Sequence, residues 1–173
     1  APPRAALRLV APAAGLEPAA DAPGAAGPGA DPAAPYSAAD WYETGCALED
    51  GSPLEARAAY ERALELDPEL AEAHVNLGRL LHLAGERGRA EPQYREAVRL
   101  APDDPTPHFD LGVLLEESGR REEAVHAYRQ AILRDPDFAD AHCNLGLLLE
   151  SLGRRQEAVR HLIAARQLVG AAE

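Results

Sequence analysis

Three consecutive segments of this chain, Ala71–Asp104, Pro105–Phe138 and Ala139–Ala172, superimpose at a period of 34 residues without a gap. In that register nine positions are identical in all three. They are a histidine (His74, His108, His142), a Leu-Gly pair (Leu77-Gly78, Leu111-Gly112, Leu145-Gly146) and a Leu-Leu pair (Leu80-Leu81, Leu114-Leu115, Leu148-Leu149). A glycine (Gly85, Gly119, Gly153), an arginine (Arg87, Arg121, Arg155) and two alanines (Ala90, Ala124, Ala158 and Ala97, Ala131, Ala165) complete the set. A period of this length specifies stacked supersecondary units, none of which can bury its apolar face alone.

Inside the first of these units Val75, Leu77, Leu80, Leu81 and Ala84 recur at helical spacing up to Gly85, and Ala90, Tyr94, Ala97, Val98 and Leu100 do so up to Pro102. Two short antiparallel helices per unit are predicted. Gly78, Gly112 and Gly146 fall inside the first helix, where glycine costs about 1 kcal/mol relative to alanine. The recurrence implies close helix approach, with Ala90, Ala124 and Ala158 as the expected facing residues. Asp67-Pro68, Ala101-Pro102 and Asp135-Pro136 close the units, and each proline is expected to start the next helix. Pro92, preceded by Gly88, predicts a second helix that starts late or bends in its unit.

The pattern Leu77, Gly78, Leu81, Gly85, Ala90, Tyr94, Ala97 and Pro102, repeated in the next two units, resembles the tetratricopeptide repeat family. A fourth, earlier unit follows it loosely through Trp41, Gly45, Leu48, Ala56, Tyr60, Ala63, Leu66 and Pro68. It is one residue short near Asp50-Gly51-Ser52-Pro53 and carries Thr44 in place of leucine. The resemblance implies an all-α, tetratricopeptide-like solenoid of four helix-turn-helix repeats in a right-handed superhelical array: 38–70, 71–104, 105–138 and 139–172. Residues 1–37 precede it. Residues 1–36 hold 14 Ala, 8 Pro and 4 Gly, and a stretch of that composition is expected to be a disordered tail or linker. Its apolar run in APPRAALRLVAP is too short for a secretory core or a membrane span. With no methionine in the chain, it reads either as a product whose initiator was removed or as a piece of something longer.

By the same resemblance, the first helices line a concave groove, and the residue before each Leu-Gly points into it. These are Asn76, Asp110 and Asn144, with Glu43 in the first unit. An asparagine ladder offers donors and acceptors to an extended peptide backbone; the competing reading has these side chains satisfying the adjacent unit or facing solvent. Bonds of about 0.5–1.5 kcal/mol each do not give tight binding alone. Side-chain pockets are therefore expected from Val75, Phe109 and Cys143 and from Arg79, Val113 and Leu147, with Glu72, Glu116, Glu117, Asp140 and Glu150 at the rim and Glu49 and Asp50 extending it. The chaperone-binding members of the family use lysine to clamp a terminal carboxylate, and this chain has none.

Charge narrows the partner further. The chain carries a formal charge of −12, which repels phosphate backbones and anionic membrane surfaces and favours a basic or apolar protein or peptide. A direct nucleic-acid or membrane partner is not expected. Every cation is an arginine, and the Ala, Pro, Gly and Arg richness reads as a bacterial, high-GC gene. Cys46 and Cys143 lack metal or disulfide spacing, which fits a reducing, cytoplasmic compartment. His74, His108 and His142 lie one repeat apart, about 8–10 Å between helices, too far to share a metal whose bonds are about 2 Å; they are expected to pack. His82, His126 and His161 have no ligand-spaced companion. No nucleophile, zinc or phosphate-loop motif is present, so neither catalysis nor a cofactor is expected.

The last unit departs from the others. Leu162 stands where Tyr94 and Tyr128 stand, and Arg166 replaces Val98 and Ile132, as a solvent-facing end requires. Val159, Leu162, Ile163 and Val169 are expected to be partly exposed, as a frayed cap or as a patch that pairs two copies into a homodimer.

Overall fold

A computed structural model describes residues 36–171. The expected disordered tail lies outside the described residues, apart from Tyr36, whose ring packs on Trp41 at 5.4 Å, and Ser37, which caps the first helix. The described residues form eight α-helices: α1 (Ala38–Leu48), α2 (Pro53–Leu66), α3 (Ala71–Leu83), α4 (Arg87–Leu100), α5 (Pro105–Glu117), α6 (Arg121–Arg134), α7 (Ala139–Ser151) and α8 (Arg155–Ala171). Consecutive helices pair, and each second helix also packs on the first helix of the following pair. The result is the expected right-handed solenoid, with α3 and α5 touching directly along one wall.

The turn within each pair is written by one glycine. Gly85, Gly119 and Gly153 adopt φ of 78°, 77° and 77°, a left-handed conformation that a Cβ disfavours. In each, the next residue's N–H returns to the helix, as from Glu86 to the Leu81 carbonyl at 2.9 Å, so the helix ends in a Schellman motif. The first unit lacks this device: α1 stops two residues sooner than α3, and Ser52 N–H bonds the Leu48 carbonyl at 2.8 Å instead.

Three expectations are corrected. Pro68, Pro102 and Pro136 do not open the following helices, which begin three residues later. They occupy the second position of a tight turn closed by bonds such as Phe138 N–H to the Asp135 carbonyl at 3.2 Å, where their fixed φ is equally suited. The helix containing Pro92 does not start late: α4 begins at Arg87, in register with Arg121 of α6, because the carbonyl freed by the proline belongs to exposed Gly88 and meets water.

The third correction concerns Gly78 and Gly112, which face an aromatic ring rather than Ala90 and Ala124; Gly146 does meet the expected Ala158, whose backbone carbonyl lies 3.3 Å from where its Cβ would be. A Cβ on Gly45 would lie 2.5 Å from Tyr60, one on Gly78 2.8 Å from Tyr94, and one on Gly112 2.7 Å from Tyr128. In the last unit Leu162 takes that place at 2.7 Å. Tyr60, Tyr94 and Tyr128 are all but fully buried, so each of the first three units is keyed together by a ring set where a side chain is missing. Ala56, Ala90 and Ala124, also buried, fill the space one turn away.

Candidate functional site

The Tyr-on-Gly packing carries each tyrosine hydroxyl through the unit to the wall built from the first helices. There it meets position twelve of its own unit and position six of the next one, forming a polar rung at each junction. In the first rung Tyr60 donates to Glu49 Oε1 at 2.5 Å, and Asn76 Nδ2 donates to the Tyr60 hydroxyl at 3.2 Å and to Tyr42 at 3.5 Å. In the third, Tyr128 donates to Glu116 Oε2 at 2.8 Å, with Asn144 beside the same hydroxyl. Burial, reinforced by these carboxylates, pushes the Tyr60 and Tyr128 hydroxyls above the ordinary phenol range, so both remain donors.

The second rung exchanges the roles. His82 stands where Glu49 and Glu116 stand, and Asp110 where the asparagines stand, around Tyr94. Burial pushes the Asp110 carboxyl up to about 6, against the pull of Arg79 and His82. Each complete rung therefore holds one carboxylate, on alternating sides. The alternation Glu, His, Glu against Asn, Asp, Asn is visible in the chain once the repeats are aligned, and it was the signal for His82 and Glu49, which sequence reasoning did not single out as rung members.

The remaining expected residues fall around these rungs. Phe109 is half-buried, its ring on Tyr128 at 5.8 Å and Phe138 at 4.9 Å. Val75, Val113 and Cys143 are half-buried, Leu147 is 52% exposed, and Glu72 and Asp140 are exposed. Arg79 crosses to Glu49 at 2.5 Å. Asn76 directs its amide donors into the first unit rather than outward, leaving its carbonyl as the free group. Cys46, an exposed thiol, lies 3.4 Å from the Tyr60 hydroxyl.

The histidines at position four serve the junctions. His74, His108 and His142 place Nε2 at 2.9, 3.2 and 3.1 Å from the carbonyls of Pro68, Pro102 and Pro136. A carbonyl only accepts, so Nε2 carries the proton. His142 Nδ1 then accepts from His161 Nδ1–H at 3.0 Å.

The opposite wall, built from the second helices, is laced by arginine. Arg57–Glu86, Arg120–Glu91 and Arg154–Glu122 join successive units at 2.8, 2.7 and 3.3 Å. Burial opposes ionisation of Glu91, but Arg120 and Arg95 together hold its carboxyl below the usual range. An open cleft of about 700 Å³ lies on this side between α2, α3 and α4, over Leu64, Leu77, Leu81 and Pro92; it arises where Gly88 contributes no side chain, and it contains none of the rung residues.

Comparison with known proteins bears on the architecture. Residues 47–105 match a family model described as tetratricopeptide repeat, and residues 115–153 match one described as TPR repeat. A search of curated proteins finds no significant match. Among solved structures, one of MamA is 26% identical with a TM-score of 0.74, covering 78% of this chain and 80% of that one. A second MamA structure is 26% identical with a TM-score of 0.70, covering 76% and 72%. MamA from Desulfovibrio magneticus RS-1 shares 23% identity at a TM-score of 0.70, covering 78% and 77%. Two repeat models spanning most of the helical region, the unbroken 34-residue period and the stacked helix pairs lead to one assignment: the chain belongs to the tetratricopeptide repeat family.

Proposed function

We propose that this chain is a non-catalytic interaction scaffold whose first helices bind an extended peptide or protein segment along an acidic groove. The observation that carries the reading is the row of polar rungs flanked by Val75, Phe109, Val113 and exposed Leu147, which alternates hydrogen-bonding groups with apolar ones at one-repeat intervals. That alternation is what an extended chain presents. The formal charge of −12 favours a basic or apolar partner. Free Cys46 and Cys143 favour a reducing compartment such as the cytoplasm, the richness in Ala, Pro, Gly and Arg favours a bacterial gene, and among the described residues no helix is long and apolar enough to cross a membrane. The test is capture of partners with the wild-type chain and with Asn76→Ala/Asn144→Ala, circular dichroism establishing that the array stays folded. Weaker capture of the same partners is expected; undiminished capture overturns the groove assignment.

Two further readings have support. Pairing of two copies into a homodimer through α8 is favoured by Val159, Ile163 and Val169, which are 54%, 51% and 58% exposed; sedimentation at rising concentration tests it, and a monomer throughout removes it. The composition of residues 1–36 favours a regulatory repeat module within a larger bacterial protein, attached for example to a DNA-binding or glycosyltransferase domain, which a longer reading frame would reveal.

A further inference from the structure

One rung is unlike its neighbours. Among the described residues, the Tyr60 and Tyr128 hydroxyls bond to carboxylates, whereas the Tyr94 hydroxyl and the Asp110 carboxylate bond to nothing. Tyr94 is only 1% exposed, yet among the described residues no side-chain oxygen or nitrogen that is shut off from solvent lacks a partner. Its hydroxyl is therefore the atom that reaches solvent, and it does so beside Asp110. The groups that would have satisfied this pair are engaged elsewhere: His82 Nε2 with Glu117 at 3.0 Å, and Arg79 with Glu49 at 2.5 Å.

We propose that this central rung is the specificity-determining point of the groove and that it takes a cationic side chain, arginine or lysine, from the bound segment. A half-buried carboxylate without donors gains most from a charge-assisted N–H, and the lone pairs on the Tyr94 oxygen accept a second one. Asp104 adds negative charge near Asp110, and Glu117, itself paired with Arg87, does so near Tyr94. Because burial pushes Asp110 up to about 6, acidification through that range protonates the acceptor and should weaken binding. The inference rests on the groove reading and sharpens it.

The test is an NMR titration of the isotope-labelled full chain with the blocked tripeptide Ac-Ala-Arg-Ala-NH2 and its lysine, norleucine and glutamate counterparts. The cationic peptides should shift amides of α3 and α5 around Asp110 and bind about tenfold more tightly than the others. Asp110→Asn should weaken the arginine peptide by about tenfold. Tyr94→Phe keeps the ring over Gly78 and should weaken it several-fold, while Glu55→Gln, exposed on α2 outside the groove, should change it less than about twofold. Equal binding of the norleucine peptide in the groove overturns cation selection and leaves the groove standing. Shifts confined to α4 and α6, or no saturable shift, overturn the proposal, the former counting against the groove as well.

Discussion

Gly112→Ala should destabilise the array, although the same substitution in most helices stabilises them. Helix propensity alone favours alanine by about 1 kcal/mol. Against that, a Cβ at this position would sit 2.7 Å from both Cδ1 and Cε1 of Tyr128, about 1 Å inside ordinary carbon contact. The ring is fully buried and anchored by its bond to Glu116 at 2.8 Å, so it yields only by giving up packing and hydrogen bond together. Overpacking of this kind costs about 1–3 kcal/mol, and a strained hydroxyl bond adds about 1 kcal/mol. The expected net loss is about 2 kcal/mol. Gly88→Ala, in the first turn of α4 with nothing within 4 Å of its Cβ, should instead gain about 0.5–1 kcal/mol. Urea unfolding followed by far-UV circular dichroism compares the two, with Gly112→Ala repeated in a Tyr128→Ala background where the clash is gone. If both single substitutions shift the midpoint in the same direction, or the double variant is no better than Tyr128→Ala alone, the ring is not what keeps position 112 a glycine.

Asp110→Asn should raise stability near neutral pH while weakening the ligand. A carboxyl raised from 3.8 to about 6 on folding disfavours the ionised native state, so removing the charge gains about 1–3 kcal/mol above pH ~6. The gain should fade towards pH ~4, where wild-type Asp110 is protonated in the native state; a gain that does not vary with pH refutes the assignment. The histidines act with the opposite sign. Burial lowers His108 and His161 from 6.5, so their contribution is complete above that value and is lost as pH falls through their native pKa values. His161→Gln should flatten this part of the pH-stability curve, and an unchanged curve would show that burial does not lower His161.

How far the chain could be read in advance differs by feature. The helix pairs and the ends of their first helices at Gly85, Gly119 and Gly153 are legible because periodicity and a glycine after the last apolar residue are local signals, whereas the left-handed φ there comes from the structure. The partner of Gly78 was not, since spacing along one helix says that a side chain is missing without saying which atom of the neighbour fills the gap; Tyr94 lies only one turn beyond Ala90. The prolines were placed one element too late because a turn and a first helical turn accept the same φ. Asn76, Asp110 and Asn144 were found as positions, but their chemistry was not legible, since it depends on His82, Glu49 and Glu116 arriving from other helices. Glu116 was read only as part of the rim, yet it holds the Tyr128 hydroxyl.

Helices here touch little beyond their immediate neighbours, so unravelling begins from either extremity and reaches the middle last. The junction around Tyr94, between the second and third units, has two units on either side. A guest seated there would find its seat intact even while the outer hairpins breathe, and would lend its own grip to the segment that both halves of the stack depend on for continuity.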